Sequence, residues 1–492
     1  MYTPNFNQFK KLANKGNLIP VYREFVADME TPVSAFKRID KSDFGFLLES
    51  VEGGEKIARY SFLGSNPNIV FSSRGKQVTL VRDGRKSVYS IEGNPLDELQ
   101  KLMNQYDLVE VEGLPRFFGG AVGYVSYDAI QYIEDIPQQN PDDLQLPELC
   151  FMITDTILIF DHINHTIKVV SNAHVDIDPQ SAYSAAIKKI DRIVDMISRP
   201  LKLKAVERPK TPSDDEIEVW SNFSKDEFKT AVKKSKEYIR AGDIFQVVLS
   251  QRFEMDCSSE PLNIYRSLRS VNPSPYMYYL KFGDMYIVGS SPEILVRCED
   301  GVVEVRPIAG TRRRGENEEE DAQLAEELLA DPKECAEHIM LVDLGRNDVG
   351  RVCDFGSVHV PELKIIEKYS HVMHIVSDVL GKLSRDKNSY DVFKASFPAG
   401  TVSGAPKIRA MEIIEEFEKN RRGPYAGAVG YFSFSGNLDT AITIRTIVIA
   451  NGKCYVQAGA GIVADSVPET EYEETRSKAR GMLKAIKLAE SF

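Results

Sequence analysis

The chain has 492 residues, 42% apolar and 27% charged, with 61 Lys and Arg against 73 Asp and Glu and a net charge of −12. Such a balance suits a protein that buries a large core, divided into roughly two to four units or built as one two-lobed body. It argues against a dedicated nucleic-acid or anionic-membrane binder, since no Lys/Arg block offers a cationic footprint and no apolar run approaches the ~18 residues of a membrane span.

The opening residues MYTPNFNQFKKLANKG hold no apolar segment leading to a small-residue cleavage site, so no secretory signal is expected. The six cysteines are scattered without a CxxC pair, which predicts free thiols in a reducing, cytoplasmic setting. The first part of the chain reads as mostly β. Residues 137–143 form a Pro-rich loop. Residues 154–160 and 166–171 flank Asp161-His-Ile-Asn164 and predict a hairpin. His162 and His165 at its tip lack the acids or thiols that would complete a metal set. A Pro-rich, charged linker then divides the chain into an N-terminal region (1–200), the joint (201–222) and a C-terminal region (223–492).

After the joint, Ser224-Lys-Asp-Glu227 is a capping box opening an amphipathic helix that stops near Gly242. Strands are expected at 244–253, 277–282, 285–289, 302–307, 371–379, 428–434, 438–450 and 453–459, with a helix over 332–344 and a second capping box at Ser466-Val-Pro-Glu469. Turns such as Phe282-Gly-Asp284 and Ser435-Gly-Asn437 join neighbouring strands directly. The pattern is α+β with mostly antiparallel sheets. No GxxxxGK[ST] exists, and Gly459-Ala-Gly461 follows a strand without opening a helix, so neither nucleotide motif is satisfied.

Five C-terminal segments combine glycine with charge. Glu471 and Glu474 lie three apart on one helical face, where carboxylates near a helix start are ordinary dipole partners. Glu337 is one acid among several on its helix. Together these acids can equally supply the oxygens that Mg²⁺ takes while holding an anionic substrate. Ala458–Gly461 and Gly310-Thr311 read as turns exposing backbone N–H groups. Arg445, inside the apolar strand around Ile442–Ile447, either pairs with a buried acid or offers a bidentate fork to a carboxylate. His374 alternates onto the face of Val372 and Val376, as a packed core histidine or a catalytic one.

The strings SSPE, PIAGTRRRG, DLGRNDVGR, FPAGTVSGAPKIRAMEII and QAGAGIVADSVPETEYEETRSKA, taken in order, resemble the chorismate-utilising enzymes, and among them the anthranilate synthase branch. The resemblance is dense from Phe223 onward and patchier before 171. It implies a two-lobed body of two packed antiparallel sheets ringed by helices, and a Mg²⁺-dependent lyase converting chorismate and ammonia to anthranilate and pyruvate. Carried over, Glu337 and Glu474 hold Mg²⁺ while Glu471 acts through water. Gly459, Ala460, Gly461, Arg445 and Tyr425 hold the substrate carboxylates, and Gly310 and Thr311 line the ring. Glu293 is then the acid on the departing C4 hydroxyl, and His374 helps remove the C2 proton. In the water-adding branches a lysine stands where this chain has Gln246, and an amide orients an amine but cannot deprotonate water. In aminodeoxychorismate synthase a nucleophilic lysine stands where this chain has Ala309.

The same resemblance makes Leu47-Leu48-Glu49-Ser50 and Asn272-Pro-Ser-Pro-Tyr-Met277 parts of a tryptophan feedback site, with Ser50, Pro275, Tyr276 and Met277 touching the effector. Read alone, these stretches are a buried strand end and a Pro-rich turn. No cysteine sits on the Gly-flanked elbow that a glutaminase requires. A separate glutamine amidotransferase subunit is therefore expected to supply ammonia, giving a hetero-oligomer. The rival readings are aminodeoxychorismate synthase component I and a non-catalytic tryptophan-sensing homologue.

Overall fold

The computed structural model describes residues 1–492 apart from 51–58, 83, 177, 202–216, 370 and 371. Long runs of buried β-formers, such as Gly120–Val125 and Leu149–Thr154, mark strands covered on both faces. They belong to two 12-stranded sheets packed together, with antiparallel pairing throughout. Phe62, Ile159, Tyr278 and Val448 of one sheet interleave with Tyr124, Met152, Val429 and Tyr431 of the other. Helices cover the outer faces. Pro179–Ser198, Pro261–Val271 and Pro468–Ala489 lie on the first sheet, and Pro95–Met103, Pro332–Gly350 and Ser389–Ser396 on the second.

The order of strands decides where chemistry can sit. The first sheet runs from Leu18–Val26 through Phe44–Glu49, Tyr276–Phe282, Met285–Ser291, Thr446–Ala450 and Lys453–Ile462 to Gln246–Asp256 and beyond. The second contains Ile308–Arg313, Val372–Lys382, Val302–Val305, Ile294–Glu299, Leu438–Ile442, Ala428–Ser433 and Gly120–Val125 as neighbours. Each sheet joins a block of strands from before 201–222 to a block from the C-terminal side, at Phe44–Glu49 beside Tyr276–Phe282 in the first and at Gly120–Val125 beside Ala428–Ser433 in the second. That joint therefore separates stretches of sequence and not separate cores; its residues 202–216 lie outside the described ones.

Four local expectations change. The 166–174 and 156–161 strands do form a hairpin, but Thr154 ends a strand of the other sheet and the chain crosses at Asp155. The run 438–450 is two strands, Leu438–Ile442 and Thr446–Ala450, in different sheets. The helix expected over 332–344 continues to Gly350. The box at Ser224 forms, with Glu227 accepting from the Ser224 N–H at 2.9 Å, and Gly242 closes the helix at φ +85°. The one at Ser466 does not. The helix Pro468–Ala489 has Val467 at its N-cap without a side-chain bond, and Ser466 Oγ instead accepts from Val463 N at 3.0 Å. Glu469 is drawn away by Lys229 at 2.9 Å. Among the described residues no helix is long and apolar enough to cross a membrane, and all six cysteines are free.

Candidate active site

Two neighbouring crossovers between the sheets carry Glu293 and Arg445. Glu293 lies between Met285–Ser291 and Ile294–Glu299; Arg445 lies between Leu438–Ile442 and Thr446–Ala450. They are tied by Ser290 N donating to Arg445 O (3.1 Å) and Ile442 N donating to Glu293 O (3.0 Å). Arg445 adopts φ +51°, a left-handed conformation uncommon outside glycine, because the chain must turn sharply to change sheets there. Its guanidinium donates from Nη1 to Lys478 O at 2.8 Å, so it neither punctuates a strand nor pairs with a core acid.

Beside the crossovers runs Lys453–Ile462, and here the expected Gly459–Gly461 turn is regular strand. Gly459 faces Ser250 and Gly461 faces Val248 across the ladder. On the opposite side the pairing with Thr446–Ala450 reaches only Val456, so the backbone of 458–461 presents an open edge to the helix Pro468–Ala489. Lys478 of that helix donates to Gly459 O (3.0 Å) and pairs with Glu474 (2.7 Å). The glycines are needed for space. A Cβ on residue 459 would lie 2.7 Å from Tyr425 Oη, and one on residue 461 would lie 2.5 Å from Gln246 Nε2. Ala460 turns its methyl into the core with Phe228 and Ile413, so only its backbone is available to the site.

Gln246 opens the strand next to this edge and donates from Nε2 to Glu337 Oε1 at 2.9 Å. A carboxylate only accepts, which fixes the amide's orientation and leaves Oε1 buried without a partner. The helix bearing Glu337 is anchored at its far end by Lys407 Nζ to Asp348 Oδ2 at 2.8 Å. Glu337 thus meets Gln246, which lies beside Gly461, and Glu474 meets Lys478, which bonds Gly459, the two acids coming from different helices.

Gly310 is a β-bulge in Ile308–Arg313 at φ +74°, not a free turn. The extra residue aims its carbonyl at His374 Nδ1 (3.0 Å), and Thr311 Oγ1 lies 3.0 Å from the same nitrogen. A carbonyl requires Nδ1–H, so Nε2 keeps its lone pair. The strand's fully buried face belongs to Met373 and Ile375, packed on Leu328; His374 is on the less buried side.

Electrostatics link Glu293, Lys478, Glu474, Arg445, Tyr425 and His374. Burial pushes the Glu293 carboxyl up to about 8, opposed by the Thr401 hydroxyl and the Lys478 charge. Burial lowers Arg445, while Tyr425 and Glu474 pull it back. Burial also lowers His374, helped by the Arg445 charge and opposed by the Gly310 carbonyl. Tyr425 is pushed up to about 12 by burial against the pull of Arg422. Glu471 is raised by burial and by Glu474, with Ser466 opposing. Among the described residues no group of three or more His, Cys, Asp or Glu could hold a metal. Glu337 and Glu474 remain as two hard donors, the number Mg²⁺ commonly takes when water and substrate complete its shell.

A second pocket joins the two segments singled out near residues 50 and 275. Met277 pairs with Glu49, which brings Ser50, Pro275, Tyr276 and Met277 to one wall, with Arg297 and Asp439 opposite. Ser50 Oγ is buried there without a partner. Arg297 donates to Tyr276 Oη at 3.0 Å and to Asp439 at 3.2 Å. Sequence reasoning missed Arg297 and Asp439, which have no local signature, Thr401, which lies in the string FPAGTVSGAPKIRAMEII without being singled out there, and Lys478, whose i+4 spacing from Glu474 could have revealed it.

The model for chorismate binding enzymes matches residues 46–484. The anthranilate synthase component 1 of Acetivibrio thermocellus is 53% identical over 493 residues, covering 99% of each chain. That of Synechocystis is 50% identical over 507 residues at the same coverage. The crystal structure of anthranilate synthase component I from Streptococcus pneumoniae is 37% identical, with a TM-score of 0.77 over 93% of this chain and 99% of that one. The menaquinone-specific isochorismate synthase of Escherichia coli, 18% identical with a TM-score of 0.69 over 98% of both chains, shares the fold. Two interleaved antiparallel sheets and this length of match agree: the chain belongs to the chorismate-binding enzyme family.

Proposed function

We propose that this chain converts chorismate and ammonia to anthranilate and pyruvate, as the chorismate-binding component of an anthranilate synthase. The observation that carries the reading is the Gln246–Glu337 bond at 2.9 Å, which leaves an unpartnered amide oxygen beside the Gly459–Gly461 edge. An ammonia molecule donates to that oxygen and keeps its lone pair for C2. A water nucleophile would need a base there, and a covalent lysine route would need a lysine at Ala309.

Chorismate is a dianion, and a chain of net charge −12 attracts it only through local donors. Arg445, Tyr425 and the open edge at 458–461 supply these for the carboxylates. Glu293, still protonated near neutrality because it is buried, gives its proton to the C4 hydroxyl as that group leaves as water. His374, oriented through Nδ1, takes the C2 proton at Nε2 as the enolpyruvyl ether breaks and the ring becomes aromatic. Glu337 and Glu474 fit a divalent cation by donor chemistry, Glu474 exchanging Lys478 for it. When bound, Mg²⁺ neutralises a substrate carboxylate and orients the ring.

The second pocket suits tryptophan, whose ring lies against Pro275 and Met277 and whose charged groups meet Ser50, Arg297 and Asp439. Without a glutaminase elbow the chain takes its ammonia from a glutamine amidotransferase partner in a cytoplasmic hetero-oligomer. The test is one assay of purified chain with chorismate, Mg²⁺ and an ammonium salt. Anthranilate, identified by fluorescence and mass, is expected, and tryptophan suppresses it. A product keeping the enolpyruvyl ether would select aminodeoxychorismate synthase, and no turnover would select the sensing homologue.

A further inference from the structure

Between the two pockets lies a cavity of about 490 Å³. It shares Pro275, Tyr276 and Arg297 with the tryptophan pocket. It shares Ile294 and Arg306 with the small cavity in which Glu293 sits. Its wall carries a row of charges on adjacent strands. Arg297 donates from Nη2 to Tyr276 Oη and from Nη1 to Glu304 Oε2, each at 3.0 Å. Two residues on, Arg306 donates to Asp378 and, from Nη2, to Glu367 Oε1 at 2.6 Å. Glu367 lies directly opposite His374 in the ladder and accepts from Tyr369 Oη at 2.9 Å. The Tyr369 ring meets the His374 ring edge-on at 5.6 Å.

These groups are sheltered, with side-chain exposures of 14% to 26% for Arg297, Glu304, Arg306, Glu367 and Asp378. Screening by solvent is weaker there than at the surface, so moving one charge is felt by the next. Arg297 has three anionic or hydroxyl partners and Arg306 two anionic ones, and a shift of Tyr276 or Asp439 changes the partners left to Arg297.

We propose that the row Arg297–Glu304–Arg306–Glu367 relays occupancy of the tryptophan pocket to His374, with Arg306 and Glu367 as positioning residues for that imidazole. The relay rests on the tryptophan reading of the pocket. An effector that engages Arg297 or Asp439 alters the pull on Glu304 and hence on Arg306. The Arg306–Glu367 pair then resets the strand opposite His374. Linkage makes the effect reciprocal, so chorismate must weaken tryptophan by the same factor.

The experiment measures tryptophan affinity by calorimetry with and without saturating chorismate, in the absence of any amine so that nothing turns over. The ratio of the two affinities is the coupling factor. In Glu304→Gln, tryptophan alone binds within about threefold of wild type and uninhibited turnover is within about twofold, while the coupling factor falls at least about threefold. Arg306→Lys, which keeps the charge and loses the two-pronged geometry, gives the same direction. Both variants folded and coupled as wild type would overturn the relay and leave the tryptophan site standing. Wild-type protein that binds no tryptophan would sink that site and the relay together.

Discussion

Replacing Gly461 by alanine tests whether the Gln246 amide carries the amine. The new methyl carbon would lie 2.5 Å from Gln246 Nε2, where ordinary contact begins at 3.4 Å, so the amide must retreat by about 0.9 Å. That atom ends a flexible side chain, and the sheet around it need not move. A retreat of this size directed away from Glu337 would take the 2.9 Å bond to about 3.8 Å, beyond hydrogen-bonding range. A hydrogen bond to a charged group contributes about 1.5–3 kcal/mol, which corresponds to roughly 10- to 150-fold in rate. Initial rates of anthranilate formation with varied ammonium, beside a thermal melt, read out the two effects separately. The expected result is a loss of that size in kcat/KM for ammonia with a melting point within a few degrees of wild type. A folded variant within twofold of wild-type kcat/KM would remove Gln246 from the amine site.

Further tests follow from the same geometry. Glu293 holds a proton up to about pH 8 in the folded chain, so turnover falls as pH rises through about 8, and Glu293→Gln loses about 10²–10⁴-fold at every pH. Between the ordinary carboxyl value and about 8 the native state keeps a proton that the unfolded chain has released, so wild-type stability declines with rising pH across that window. Glu293→Gln removes this contribution, and its melting point gains on wild type from pH 5 to pH 8.5; an unchanging difference would contradict the buried neutral acid. Glu474→Gln raises the Mg²⁺ concentration for half-maximal rate by more than about tenfold with the fold intact; an unaltered titration would exclude it as a ligand. Ser50→Phe fills the second pocket, so tryptophan inhibition is lost while kcat is retained, and persisting inhibition would place the effector elsewhere.

Part of the candidate site was legible because Glu293 and the Gly459–Gly461 run fall in continuous motifs, whereas His374 and Arg445 stand in ordinary strand sequence. The α+β class follows from strand-length apolar runs joined by hairpin turns. The errors share a cause. The run 438–450 reads as one strand because hydrophobic pattern does not record which sheet a strand joins, and the break appears only in the backbone of Arg445 at φ +51°. Likewise Ser466 has the letters of a capping box, but Lys229, brought in from the helix Lys225–Ala241, competes for Glu469 and Ser466 turns back to Val463. Ala460 sits between two glycines of the motif yet faces the core, since a strand alternates its sides.

Local chemistry alone determined which reactive side chains this protein carries. It has acids at helix starts, glycines where a strand must be approached closely, and an amide in place of a lysine at Gln246. Tertiary structure alone decided which of them meet. The Gln246–Glu337 bond joins residues 91 apart, and Arg297 reaches Asp439 across 142. Such pairs form because two sheets built from both ends of the chain must stack their apolar faces. The free energy of that burial is shared by the whole core and leaves no mark at any one position.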